Sequence, residues 1–237
     1  MSATEMLTRL QNDGARYLWV AHHDYHGRSE AKTIPQASMR SAVTGGVVFA
    51  KANLNMDAED QQVPEATMLA NSGDMLAVPD PRSYTLLPRF ANTVLTHAHM
   101  REPDGSQWSG CSRTRLDTIV DQLAAEGFSI QAALEPEFAL FTRDASGALT
   151  PINNSTMFSQ QGLAAANSFI VDLLDELEGM GIKIPQLGKE YGPGQYELSL
   201  EHGSPIEAVD RYLMFRATLH DIARSHGMIA TLMPKPF

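Results

Sequence analysis

Cysteine is nearly absent: Cys111 is the only one in 237 residues. No internal disulfide can form, and a reduced, cytoplasmic setting is the expectation. Basic residues are outnumbered, 18 Lys and Arg against 28 Asp and Glu, for a formal net charge of -10. That balance excludes nucleic-acid binding driven by phosphate neutralisation and disfavours anionic membranes. No apolar run is long enough to span a bilayer. The first residues, Met1 to Gly14, are amphipathic and read as neither signal peptide nor anchor. There is no internal repeat and no low-complexity tract. What is present is a 43% hydrophobic share, enough for a packed core.

Periodicity and turn chemistry divide the chain in two. Residues 4–12 read as a short helix with Met6, Leu7 and Leu10 on one face. Residues 16–23 read as a strand, followed by a turn at His26-Gly27 and a second strand to Ile34. Pro35 is expected to open a helix. A strand follows Gly45-Gly46. Residues 74–90, punctuated by Pro and Asp, are expected to be mostly irregular, and 92–100 to be a strand. The loop from Glu102 to Gly110 then separates a strand-rich first domain, residues 1–108, from a second, residues 109–237. Cys111, at the start of that second part, reads as an incidental thiol.

In the second part, 114–126 reads as a helix with Leu116, Ile119, Val120 and Leu123 on one face. Residues 128–141 read as extended. Residues 159–179 read as one helix, with Leu163, Ile170, Leu173, Leu174 and Leu177 inward. Strands are expected near 182–186 and 195–200. Ser204-Pro205-Ile206-Glu207 is a capping box, opening a helix expected to bury Ile206, Val209, Leu213 and Ala217. A last strand covers 228–232.

The chemistry lies in carboxylates. Leu134-Glu135-Pro136-Glu137-Phe138 places two glutamates two apart, on one face if the segment is extended. Side-by-side carboxylates repel, and a cation, a shared proton or solvent relieves them. The ordinary reading of such a pair is a solvated strand edge, but here the flanking residues are apolar. Glu190 and Glu197 bracket Gly192-Pro193-Gly194, which can turn the chain back sharply. Four carboxylates without thiolate or imidazole suit Mg²⁺ or Mn²⁺ rather than zinc. His97 and His99 share a strand face and His22, His23 and His26 cluster near a turn. Neither group has a third ligand at metal spacing, and both read as ordinary strand and turn residues.

These segments resemble the glutamine synthetase family. Glu135-Pro-Glu137-Phe is similar to its Glu-x-Glu-Phe strand. Glu190-Tyr-Gly-Pro-Gly-Gln-Tyr-Glu197 resembles its second metal segment, and Thr231-Leu-Met-Pro-Lys-Pro-Phe237 its Met-Pro-Lys-Pro stretch. Weaker echoes are Asp24-Tyr-His-Gly27, Gly73-Asp74-Met75 with Pro79-Asp80, and Arg113-Thr-Arg-Leu116. The resemblance implies an α+β fold: a β-grasp-like N-terminal domain followed by part of an antiparallel-sheet catalytic domain with flanking helices. It implies that Glu137, Glu190 and Glu197 hold a metal that positions glutamate, and that Glu135 belongs to a second metal bridging ATP phosphates. The implied reaction joins L-glutamate to ammonia or a small amine through γ-glutamyl phosphate, in a homo-oligomeric ring.

Two departures from the family pattern shape the expectations. Family members continue well past the position of Phe237 with phosphate-clamping arginines and further site residues. By that resemblance the catalytic residues lie beyond Phe237, and this chain alone would be inactive. The alternative is a non-catalytic truncated paralogue that is structural or joins a ring. The second departure is Phe49-Ala50-Lys51-Ala52, which stands where the family carries an ammonium-binding aspartate. Alanine there implies a small organic amine as acceptor. A glycosidase built on the paired glutamates is a third reading, but it gives no role to the Glu190–Glu197 segment.

Overall fold

The computed structural model describes residues 1–57 and 59–236; Phe237, the end of the Met-Pro-Lys-Pro stretch, lies outside them. The fold is α+β, in two compact units, Met1–Ser129 and Ile130–Phe237. Among the described residues no helix is long and apolar enough to cross a membrane.

The first unit opens with α1 (Ala3–Asn12), capped by Ser2 and Glu5 in a reciprocal capping box. It buries Met6 and Leu10. Strands β1 (Tyr17–His23) and β2 (Ser29–Pro35) form the expected hairpin. Pro35 ends β2 in an extended conformation instead of opening a helix; a 3₁₀ turn precedes α2 (Met39–Gly45). Next come β3 (Val47–Ala50), β4 (Asp74–Pro79), β5 (Thr85–Leu86) and β6 (Thr93–Arg101). The sheet order is β2-β1-β6-β4-β3, with β5 on β6. β1 and β6 run parallel and the other pairs antiparallel.

The expectation of irregular structure from residue 74 fails at β4. Met75, Ala77 and Pro79 face inward in strict alternation, and β4 sits between β3 and β6. Proline is tolerated there because it is the last residue of the strand.

Helix α3 (Ser112–Ala125) belongs to the first compact unit. Side-chain bonds hold it to β6 and to the β4–β5 connection, among them Arg113 to Asp80, Arg82 to Asp117 and Thr114 to His99. Its expected inward stripe is only partly covered: Leu116, Val120 and Leu123 are half-buried and Ile119 is exposed.

The second unit is built on β7 (Glu137–Arg143), with β8 (Leu149–Pro151), β9 (Gln186–Lys189), β10 (Gln195–Ser199) and β11 (Ile229–Thr231). The order is β11-β7-β10-β9, all antiparallel, with β8 also on β7. The long helix expected over 159–179 is two, α4 (Gln160–Ala165) and α5 (Asn167–Gly179), broken at the buried Ala166. The strand expected at 182–186 lies later, as β9. Helix α6 (Pro205–Ser225) starts at the expected capping box.

The inward face of α6 meets the expectation at Ile206, which is buried, and in part at Leu213, which is half-buried, but not farther round the helix. Met214, Phe215, Leu219 and Ile222 are buried, whereas Val209 and Ala217 are exposed. Both stripes have helical spacing, but the observed one buries the larger side chains. Phe138 of β7 anchors this core. Its ring lies 5.8 Å from Tyr196, 6.1 Å from Phe169 and 6.0 Å from Phe215, centroid to centroid.

Candidate metal and substrate site

The site grows out of the pairing of β7 with β10. Glu137 lies directly opposite Glu197, and Phe138 opposite Tyr196. Alternation along each strand then separates the two faces. Phe138 and Tyr196 enter the core, both buried, and the glutamates take the other face.

Glu135 lies before β7 rather than within it. The pairing nevertheless continues past the strand end, because Leu198 and Leu200 donate backbone hydrogen bonds to the carbonyls of Pro136 and Leu134. Glu135 therefore keeps the face of Glu137, where the Ser199 hydroxyl donates to its Oε1 at 3.3 Å. The expectation that residues 128–141 are extended is met at Ala132, which is bridged antiparallel to Gly203, and from Leu134 onward.

Glu190 follows β9 and begins the turn back into β10. Glu190 N–H donates to the Gln195 carbonyl at 2.9 Å, and Gln195 N–H to the Gly192 carbonyl at 3.0 Å. Gly194 has φ +63, and a Cβ there would meet the Leu140 carbonyl oxygen at 2.5 Å. The turn therefore requires glycine both for its conformation and for its closeness to β7.

All four glutamates are electrostatically in touch. Burial first, and then the charges of Glu190, Glu135 and Glu137, push the Glu197 carboxyl above its ordinary value. Like charges disfavour a second negative charge, and a divalent cation reverses that penalty. The donors are all oxygens, the set preferred by Mg²⁺ and Mn²⁺. The residues thus fit such an ion. Beside them opens a cleft of about 870 Å³, lined by Glu135, Glu137, Glu190, Tyr191, Tyr212 and Lys235 among others. Its size suits a small-molecule substrate.

Two residues outside the sequence-predicted ligands organise this site. Gln195 accepts the Gly192 N–H on its amide oxygen, at 2.7 Å, and donates its amide N–H to Glu137. It links the turn carrying Glu190 to the strand carrying Glu137. Lys189 is fully buried beneath the same turn. Gln195 and Lys189 both sit within the motif segment, but spacing rules do not distinguish a positioning amide or a buried lysine from ordinary strand residues.

The histidines take other roles. His99 Nε2 lies 3.2 Å from Asp80 and 3.4 Å from Asp117. The ligand atoms of these three residues fall within 4.8 Å of one another, close enough in principle to hold a cation. The first unit fills that role with protein cations instead. Arg82 and Arg113 both bond Asp80, and Arg82 also bonds Asp117. Burial opposes the charge on His99, but hydrogen bonds to Asp80 and Cys111 outweigh it and raise the imidazole to about 9. A protonated ring donates from both nitrogens, which suits its place beside the Asp80 and Asp117 carboxylates.

Those contacts hold the Asp80 carboxyl well below the usual range despite its burial. They also make Cys111 less incidental than its position suggests. Its buried sulfur caps α3 and accepts N–H groups from Met100 and Thr114. Burial raises that thiol, but bonds from His99 and Thr114 lower it to about 7. His22 and His97 are buried in the same unit. Burial lowers them to about 4 and about 3 respectively.

Residues 109–237 match the family model described as glutamine synthetase, catalytic domain. Three curated relatives resemble the whole chain. Glutamate–methylamine ligase of Methyloversatilis universalis is 28% identical, over 100% of this chain and 52% of its own length. Gamma-glutamylpolyamine synthetase GlnA3 of Streptomyces coelicolor is 26% identical, over 98% and 50%. Glutamine synthetase of Rhizobium meliloti is 26% identical, over 98% and 52%. A solved structure of apo GmaS without ligand superposes with a TM-score of 0.86 at 23% identity, over 99% of this chain and 53% of that one. That likeness establishes the fold. The chain spans about half the length of the curated relatives it matches.

Proposed function

The chain belongs to the glutamine synthetase family, and on that premise we propose that it carries the metal-binding part of the site of an ATP-dependent glutamate–amine ligase. The observation that carries this reading is the facing pair Glu137 and Glu197, with Glu190 and Glu135 close enough to raise the Glu197 carboxyl. Glu137, Glu190 and Glu197 would hold one divalent cation, and Glu135 would serve a second near the ATP phosphates. Bound there, Mg²⁺ or Mn²⁺ supplies neutralisation of the charge on transferring phosphoryl oxygens. The residues of this chain then bind and orient. Gln195 fixes the Glu137 carboxylate, and the cleft receives the glutamate substrate.

In the proposed reaction the γ-carboxylate oxygen of glutamate attacks the γ-phosphorus of ATP, and ADP leaves. The amine nitrogen then attacks the acyl carbon, phosphate leaves, and the nitrogen loses a proton. The acceptor we favour is a small organic amine. Ala50 ends β3 with no carboxylate to offer ammonium, and the neighbouring Lys51 is bonded to Glu102 at 2.7 Å. The resemblance to ligases named for methylamine and polyamines supports the same choice. We further infer a β-grasp-like first unit, supported by its parallel β1–β6 pair, and assembly of the whole protein into a homo-oligomeric ring.

The test is a product assay on the whole protein with glutamate, ATP and Mn²⁺, offering ammonia, methylamine, longer alkylamines and polyamines. γ-Glutamylamide formation from an organic amine, outpacing glutamine formation, is the expected result. Faster turnover of ammonia would refute the acceptor, and no ATP cleavage with any of them would refute the ligase.

A further inference from the structure

Lys189 is 0% exposed. Lysine is almost never fully buried unless its charge is satisfied. Here the ammonium Nζ donates to the carbonyl of Glu190 at 2.5 Å and of Gly192 at 2.7 Å. Both carbonyls belong to the turn that presents the Glu190 carboxylate. A lysine that served only to fill space could be replaced by an apolar side chain at no loss of hydrogen bonds, whereas this one spans the first half of the turn.

The surroundings are built to hold that stem in place. A Cβ at Gly162 would lie 2.7 Å from Lys189 Cγ and 3.0 Å from its Cδ, so α4 is open at this point for the lysine. The Gly162 carbonyl in turn accepts the Tyr196 hydroxyl at 2.6 Å, and that hydroxyl accepts from Asn153 at 2.8 Å. The Asn153 carbonyl accepts the Gly194 N–H at 2.9 Å. Beginning at Lys189 and ending at Gly194, these contacts support both ends of the turn from beneath. The ammonium thus lies under the backbone, behind the carboxylate it presents, and burial lowers its pKa while the charge of Glu190 opposes that shift.

We propose that Lys189 is a positioning residue, whose buried ammonium clamps the Glu190–Gly192 backbone and so aims the Glu190 carboxylate at the cation held by Glu137 and Glu197. This rests on the reading of those glutamates as metal ligands. It assigns to Lys189 a role in metal affinity that acts chiefly through Glu190, with a weaker path from Gly192 through Gln195 to Glu137.

The test is a double-mutant cycle on Mn²⁺ affinity, read by calorimetry without substrate. Lys189→Met should weaken Mn²⁺ binding about tenfold in the wild-type background, a coupling typical of neighbours in one network. In the Glu190→Gln background the same change should cost less than about twofold. Should Lys189→Met not fold, Gly162→Ala carries the same cycle, because its methyl displaces the lysine stem while keeping the charge. Unchanged affinity in the folded variant would overturn the proposal. So would equal losses in both backgrounds, since the lysine would then act on the fold at large. If Glu190→Gln weakens binding and Lys189→Met does not, only the lysine's role fails. If the wild type binds no Mn²⁺, the carboxylate reading fails and this role with it.

Discussion

Glu137 and Glu197 face each other across the antiparallel pair β7–β10, one residue away from the buried Phe138–Tyr196 ring stack. The same alternation that locks two aromatic rings into the core fixes two carboxylates on the opposite face. Core and site therefore share one register, and a slip of one residue would invert both.

The first prediction concerns that pair without metal. The Glu197 carboxyl is raised, so its contribution to stability is present at acid pH and lost as pH rises through the folded value. Removing the charge should help the metal-free protein at neutral pH. Glu197→Gln is expected to melt higher than wild type in EDTA. It should also lose the stabilisation by Mn²⁺, which for wild type at a hundredfold over Kd is about 2.7 kcal/mol. Thermal melts with and without Mn²⁺ check both; a lower melting point in EDTA would contradict the repulsion.

A second prediction concerns pH. His22 and His97 have lowered values, about 4 and about 3, so their contribution is present above the unfolded value of about 6.5. It is lost as pH falls toward those folded values. His99 is raised to about 9, so its contribution is present below about 6.5 and lost as pH rises through about 9. Cys111, lowered to about 7 from its ordinary value of about 9, contributes in the opposite sense over the range in which His99 is lost, so the two largely offset each other there. Stability of the first unit should therefore fall chiefly on the acid side of neutrality. Urea midpoints across pH 4 to 8 measure it; a midpoint that does not fall toward pH 4 would contradict the burial of His22 and His97 as neutral rings.

A third prediction follows from the inward face of α6. Phe215 is 0% exposed and Val209 38%. Phe215→Ala should cost about 3–5 kcal/mol, and Val209→Ala should stay within about 0.5 kcal/mol. Chemical denaturation compares them, and equal costs would mean the helix is rotated from the face described.

The turn supplies a fourth. Gly194→Ala forces a methyl against the Leu140 carbonyl oxygen at a positive φ. It should destabilise the protein by more than about 1 kcal/mol and weaken Mn²⁺ binding by moving Glu190. Gly127→Ala, also at positive φ but with open space around its Cβ, should leave Mn²⁺ binding unchanged. Calorimetric titration of the two variants separates local strain from its effect on the site.

Much of this was legible in the sequence where a local rule and the tertiary context agree. Ser204 and Glu207 form the expected capping box, and Glu137 and Glu197 lie on paired strands with the hydrophobic alternation around Phe138 and Tyr196 setting their face. The inference failed where two local signals compete. Around β4, proline and aspartate read as turn residues, but Met75 and Ala77 supply enough inward-facing apolar surface to make a central strand. On α6 two stripes had helical spacing, and only packing against the sheet decides which is buried. Neither Lys189 nor the Asp80 network has a one-dimensional signature. The Asp80 network depends on residues brought together from distant parts of the chain, as Arg113 and Asp80 are. Lys189, though bonded to its own turn, has room for its stem only because Gly162 of α4 lies against it.

The central claim is that the four glutamates collect a hard divalent cation. Its most direct test is titration of Mn²⁺ into the chain, with free Mn²⁺ followed by its paramagnetic resonance signal, in wild type and in Glu137→Gln/Glu197→Gln. The account predicts that wild type depletes the free signal and that the double variant leaves it standing at the same protein concentration. Equal depletion by both proteins would contradict it and place the ion elsewhere.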